Sequence, residues 1–212
     1  MMCDQDCYEF LVTSLFGYYN DPFLAASRLA YRDFCRTLRP GKGKYESGKY
    51  PKDVLVNNRN AIDVMLAARI KDLLSKNPMT QEMFDTWHHS LCMEIVNYYQ
   101  SSMAIGFSVG QAQKWVNMTM KYLYIQNEID IGNVTEFLHI PLDNYIIAEV
   151  KSSFNIDPPS TVWSKMDDYV KYLEYEIRIR NKLKDIGIIP IKWEMKAWLN
   201  SAKALRMNGN VK

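Results

Sequence analysis

The chain has 212 residues, of which 48% are apolar and 24% charged, and these proportions are close to those of soluble globular proteins. A chain of this length can bury enough apolar surface to fold without disulfides or metals, which argues against fibrous, disordered and disulfide-scaffold classes. The formal net charge is only +2 and the aromatic content is 13%. The total charge therefore gives little indication of a nucleic-acid partner.

Several common classes lack their sequence patterns. No run of about 18 apolar residues is present, so we predict no membrane span. The first residues are acidic and do not resemble a secretory signal, and we expect a cytoplasmic protein with reduced thiols. Cys3 and Cys7 are not followed by a second Cys or His pair at zinc spacing, so we predict no metal site. The sequence also lacks the P-loop motif of nucleotide hydrolases, the G-x-G-x-x-G motif of dinucleotide-binding proteins and the G-x-S-x-G nucleophile elbow of serine esterases.

The spacing of apolar residues predicts helices along most of the chain. In chain order, the first five predicted helices cover residues 8–19, 22–38, 53–76, 81–100 and 111–124. A sixth helix begins at Asp143, and the last two cover residues 161–185 and 191–206. Three Gly and two Pro predict a loop over residues 39–52. No set of alternating strands is visible, so we predict an all-α fold of about eight helices.

The small net charge hides two basic segments. Residues 27–52 carry eight Lys or Arg and two acids, a local charge of +6, and residues 178–212 carry nine Lys or Arg and two acids, a local charge of +7. Basic segments interleaved with aromatic residues suit binding to a phosphate backbone. The alternative is a solvated helix face with a basic tail.

Two residues between the Gly106 turn and residue 150 suggest chemistry. Lys114 follows Gly106 and Gly110 in the first turn of a predicted apolar helix, and Asp143 opens the next helix. A lysine is a nucleophile only when its amine is neutral, and burial or the positive field of a helix N-terminus favours that form. The alternatives are that Asp143 only caps its helix and that Lys121 is the more buried amine.

This segment resembles the helix-hairpin-helix superfamily of base-excision DNA glycosylases, and it is most similar to the archaeal 8-oxoguanine branch. The resemblance is carried by the pattern Lys114-x-Val116-x(4)-Lys121-x-Leu123-Tyr124 and by the turn Ile140-Pro141-Leu142-Asp143. The 29 residues from Lys114 to Asp143 match the longer spacing of that branch. About forty residues carry the resemblance directly.

The resemblance implies a fold and an activity. It implies two helical lobes with a cleft between them, approximately residues 54–140 and residues 1–53 plus 141–212, with the helix-hairpin-helix element near 94–124. Such enzymes flip a modified base out of double-stranded DNA and cut its glycosidic bond. Lys114 would attack the sugar and form a Schiff base, which gives AP-lyase activity, and Asp143 would activate Lys114. The resemblance implies no cofactor, and its members usually act as monomers.

Further residues are candidates for contacts with DNA. The turn glycines and the first basic segment would bind the DNA backbone, and the residues concerned are Gly106, Gly110, Gln111, Arg36, Arg39, Lys42 and Lys44. Trp87, His88 and Trp115 could stack on a flipped base or bind its edge. The alternative for these three is a place in the helical core.

Two other functions stay open. The turn lacks the Pro and the first Gly of the usual family hairpin, which favours a helical nucleic-acid-binding protein without enzymatic activity. A helical protein-interaction module is the third possibility, and it would expose a contiguous apolar patch instead of binding DNA.

Overall fold

The computed structural model describes residues 5–17, 20–38, 52–103 and 106–207, and all statements below refer to these residues. They form eight α-helices and no strand, which confirms the predicted all-α class. The helices are α1 (Gln5–Phe16), α2 (Pro22–Phe34), α3 (Lys52–Leu74), α4 (Gln81–Met103), α5 (Val109–Gln126), α6 (Asn144–Phe154), α7 (Tyr169–Asp185) and α8 (Pro190–Met207). Short 3-10 turns lie at Cys35–Thr37, Thr135–Phe137 and Trp163–Lys165.

Helix α5 is the central element of the fold. It packs against α2, α4 and the Trp163–Lys165 turn, and nearly all of its residues are buried. Ser108 and Gln111 close a reciprocal capping box at its start, and Asn127 ends it with a left-handed φ of 54°. Trp115 in the middle of α5 contacts the rings of Phe34 and Tyr31 from α2.

The core is continuous across the described chain. Buried apolar residues from α2, α4, α5 and α7 belong to one cluster, and the α2–α5 packing joins segments that the sequence assigns to different lobes. The division into two lobes and the cleft between them stays a prediction. Helices α4 and α5 occupy the place of the predicted helix-hairpin-helix element, with residues 104–108 between them.

The expected helix over 161–185 is wrong in its first part, because α7 begins only at Tyr169. Asp168 caps this helix, and its carboxylate accepts hydrogen bonds from the backbone N–H of Val170 and of Lys171. Met166 is extended, and its carbonyl accepts a 2.8 Å hydrogen bond from the Gly110 N–H of α5. This tertiary bond holds the segment before Asp168 against α5, where residues 163–165 form a 3-10 turn instead of the first part of α7.

The other chain breaks lie close to their predicted places. Gly187, with a φ of +67°, ends α7, and Pro190 begins α8. Residues 39–51 of the predicted 39–52 loop lie outside the described residues, and the remaining residue, Lys52, begins α3. Among the described helices, none combines the length and apolar character needed to cross a lipid bilayer.

Candidate active site

The structure brings Lys114 and Asp143 together. The Lys114 Nζ donates a hydrogen bond to the Asp143 Oδ2 over 2.8 Å and lies 3.4 Å from the Pro141 carbonyl oxygen. Lys114 is only 4% exposed. The second oxygen of Asp143, Oδ1, accepts a 2.9 Å hydrogen bond from the Ile146 N–H and caps α6. The carboxylate therefore pairs with the lysine and caps the helix at the same time.

The local environment of Lys114 differs from the expectation in one respect. Because α5 begins at Val109, Lys114 lies in the second helical turn rather than the first. The field of a helix N-terminus falls off within about one turn, so it contributes less at Lys114 than the sequence suggests. Burial and the contact with Asp143 dominate the environment of the amine.

Lys114 and Asp143 line an open pocket of about 480 Å³. This volume lies within the range of small-molecule sites, roughly 300–1,000 Å³. Aromatic rings from four different parts of the chain contribute to its wall. These are Tyr122, Tyr145, Trp163 and Trp198. The pocket thus combines apolar and aromatic surface with a few polar groups.

A second buried ion pair lies in the same pocket. The Lys121 Nζ donates a 2.9 Å hydrogen bond to Glu194 Oε1 and lies 2.7 Å from Oε2. Burial raises the pKa of Glu194, and Lys121 partly offsets this rise. Lys121 Nζ also lies 5.9 Å from the centre of the Trp198 ring. The sequence singled out Lys121 but not Glu194, because no local pattern links residues 73 positions apart.

Asp33 is a third carboxylate of the pocket. It accepts a 2.8 Å hydrogen bond from the Tyr122 hydroxyl, and burial raises its pKa. No sequence pattern points to Asp33, since it lies on α2 among basic residues typical of a solvated helix face. With Asp33, the pocket holds three carboxylates and two lysines.

The three predicted base-pocket residues lie outside this pocket. Trp115 is fully buried, and its indole N–H donates to the Ser27 carbonyl and hydroxyl oxygens. Trp87 is 6% exposed and donates to the Arg69 carbonyl. His88 is fully buried and binds other buried side chains with both ring nitrogens. The geometry therefore corresponds to the core alternative that the sequence left open for these residues.

The predicted DNA-backbone residues are in different environments. Gly110 is buried, and its N–H bonds to the Met166 carbonyl, while the Gln111 side-chain amide donates to Thr37. Their polar groups are used inside the protein, which is unfavourable for contact with a phosphate. Gly106 is exposed, and Arg36 is exposed and lines the pocket. The predicted contacts at Arg39, Lys42 and Lys44 lie outside the described residues.

The described part of the chain holds no group of three or more His, Cys, Asp or Glu side chains that could bind a metal ion. Comparison with known protein families, with curated proteins and with solved structures found no match to this chain.

Proposed function

We propose that this protein is a DNA glycosylase with AP-lyase activity that excises an oxidised or otherwise modified base similar to 8-oxoguanine. The observation that carries the proposal is the 2.8 Å contact between Lys114 and Asp143 in an aromatic-lined pocket. A buried lysine beside a carboxylate that can accept its proton becomes a nucleophile once that proton is transferred. The resemblance in the sequence points to the same two residues.

The chemistry follows from the two groups. Asp143 first accepts a proton from Lys114. The freed Lys114 amine attacks the anomeric carbon of the nucleotide, so that a C–N bond to the enzyme forms and the bond to the base breaks. The departing base takes the proton from Asp143, whose restored carboxylate stabilises the positive charge on the sugar. Ring opening then gives a Schiff base, from which elimination of the 3′ phosphate cuts the strand.

The rest of the pocket supports a flipped base as the ligand. The rings of Trp163, Trp198 and Tyr122 provide surfaces on which a planar base can pack. Lys121 also lines the pocket, and its ammonium has N–H groups beyond its bond to Glu194, so it can donate to an acceptor on the edge of a base. A site that forms hydrogen bonds with particular groups on a base rejects bases that lack those groups.

Basic residues near the pocket support double-stranded DNA as the partner. Arg36 lines the pocket. On α8, Lys192, Lys196 and Lys203 are exposed, and their spacing places them on the helix face that includes Leu199 of the pocket. Such residues bind DNA phosphates, and the affinity for DNA then falls steeply as the salt concentration rises. We further propose that the protein acts as a monomer in the cytoplasm or on the nucleoid.

Borohydride trapping on duplexes that carry modified bases tests the proposal. The wild-type chain is expected to give a covalent adduct and to cut the strand, and Lys114→Gln is expected to give neither. Lys151→Gln is a matched control, because Lys151 is an exposed lysine paired with Asp157. If no modified base yields an adduct or free base with the wild type, the proposed function is wrong.

One observation favours a protein-interaction module as a second candidate. Phe10 is 70% exposed and Leu11 60% exposed on α1, and Leu15 on the same helix reaches the pocket. Large apolar side chains grouped on a surface often mark a binding site for another protein. This candidate predicts no DNA affinity at about 0.1 M salt. Fluorescence anisotropy with labelled duplex DNA distinguishes the two candidates.

A further inference from the structure

The turn before Asp143 is held by buried side chains at each of its backbone polar groups. The Ile140 N–H donates to Glu176 Oε2 over 3.2 Å, and the Ile140 carbonyl accepts from Asn117 Nδ2 over 3.2 Å. The Leu142 N–H donates to Gln113 Oε1 over 3.3 Å, and its carbonyl accepts from Gln113 Nε2 over 3.2 Å. Pro141 has no N–H, and its carbonyl is 3.4 Å from Lys114 Nζ. These hydrogen bonds fix the orientation of the peptide groups at residues 140–142, immediately before Asp143.

Gln113 and Asn117 hold this turn from the same helix that carries Lys114. They are four residues apart on α5, and the Asn117 Nδ2 also donates to Gln113 Oε1 over 3.0 Å. Lys114 follows Gln113 directly and projects into the pocket. Helix α5 therefore carries both Lys114 and two of the side chains that hold the turn leading to Asp143.

A buried network keeps Asn117 in this orientation. Its Oδ1 lies 2.9 Å from His88 Nε2, and its Nδ2 lies 3.0 Å from the Tyr172 hydroxyl oxygen, so the two Nδ2 protons are shared among the acceptors on Gln113, Ile140 and Tyr172. Because Oδ1 can only accept, the proton of the His88 ring is on Nε2, and Nδ1 accepts from the Tyr169 hydroxyl over 2.6 Å. Burial lowers the pKa of His88 well below its usual value, which keeps the ring neutral. The Asn117 amide thus has a partner on each side and cannot rotate without losing several bonds.

We propose that Gln113 and Asn117 are positioning residues that hold the Ile140–Leu142 turn so that Asp143 meets Lys114. This inference rests on the proposed function, because the paired groups are those of the proposed reaction. Misplacing a reacting group by about 1 Å can cost on the order of 100-fold in rate. The two amides therefore influence catalysis through Asp143 without touching the substrate.

Gln113→Met tests the inference, since it removes both bonds to Leu142 and keeps a side chain of similar length. Asn133→Leu is the control, because the half-buried Asn133 Nδ2 also lies within hydrogen-bond distance of two backbone carbonyls, those of Leu74 and Lys76, away from the Lys114 pocket. The first measurement needs no DNA and follows acylation of Lys114 by peptide mass spectrometry. The second measures the single-turnover rate of base release and the dissociation constant for the duplex.

In Gln113→Met, acylation of Lys114 is expected to be several-fold faster than in the wild type. Release of the base is expected to be about 10- to 100-fold slower, and the dissociation constant for the duplex is expected to be unchanged. The control is expected to match the wild type in all three measurements. Wild-type values for Gln113→Met in labelling and in rate would overturn the inference. If Gln113→Met does not fold, Asn117→Ser is measured in its place and the same criteria apply. A wild type without base release refutes the proposed function, while the labelling experiment still decides whether the amides position Asp143.

Discussion

Gly110 gives the sharpest test of how the turn before α5 is built. A methyl group added at this position would lie 2.8 Å from the Trp163 carbonyl carbon, closer still to its oxygen, and 3.4 Å from Met166 Cβ. The first two contacts involve backbone atoms, so no side-chain rotation relieves them. Gly110→Ala must therefore push the Trp163–Met166 segment away and break the 2.8 Å bond from the Gly110 N–H to the Met166 carbonyl.

The size of the effect follows from three contributions. Overpacking costs about 1–3 kcal/mol, and a lost buried hydrogen bond costs a further 1–3 kcal/mol or so. Alanine in a helix gains up to about 1 kcal/mol over glycine. Together these contributions lower the free energy of unfolding of Gly110→Ala by about 1–5 kcal/mol. For a chain of this size, that lowers the melting temperature by about 2–20 °C.

Urea and thermal unfolding measure this effect, and Gly106→Ala is the matched control. A methyl group at Gly106 meets no atom within 4 Å, so its unfolding free energy should change by no more than about 0.5 kcal/mol. The sequence instead predicts that Gly110 contacts a DNA phosphate. If Gly110→Ala keeps wild-type stability and loses only affinity for DNA, the packing argument is refuted and the predicted contact is supported.

Three other predictions concern the pocket and the core. Lys121→Met should lower the unfolding free energy by about 3–5 kcal/mol because it leaves Glu194 buried without a partner, whereas the double variant Lys121→Met/Glu194→Leu should recover most of this loss in urea unfolding. Burial raises the pKa of Glu176 to about 8, so the folded protein holds a proton that the unfolded chain releases. The free energy of unfolding should then fall by about 2 kcal/mol as the pH rises from 6.5 to 8.5. A similar fall in Glu176→Gln would show that Glu176 is not the group responsible. Trp198→Ala should weaken DNA binding by about 1–3 kcal/mol in fluorescence anisotropy, and Trp87→Phe should leave the affinity unchanged.

Local sequence patterns predict most of the helical architecture, because apolar spacing and helix caps are properties of neighbouring residues. The start of α7 is the exception, since it depends on a hydrogen bond between Gly110 and Met166, which are far apart in the chain. Local helical propensity favours a helix over residues 161–168 because it does not depend on that tertiary hydrogen bond. Tertiary contacts override local preference at this point.

The candidate site is only partly visible in the sequence for a similar reason. Lys114 and Asp143 fall in recognisable positions, one near a helix start and one at a helix cap. Glu194 and Asp33 reach the pocket from α8 and α2, and no spacing rule connects them to Lys114. Trp87 and His88 have the composition of a base pocket, yet their helix turns them toward the core. The type of a residue indicates which chemistry its side chain can perform, whereas the packing of the helices determines which side chains come together in the pocket.

The two interpretations of Asp143, helix cap and catalytic partner, are not exclusive, because each of its oxygens has its own contact. Substitutions can separate them. Asn caps a helix as well as Asp does, so Asp143→Asn keeps the bond to Ile146 while it removes the charge beside Lys114. Asp143→Ala removes both and should be less stable than Asp143→Asn by about 1 kcal/mol in urea unfolding. Both variants should lose base release to a similar extent. If Asp143→Asn instead retains wild-type base release and Asp143→Ala loses it together with its stability, the carboxylate acts only as a cap, and Lys114 needs another source of activation.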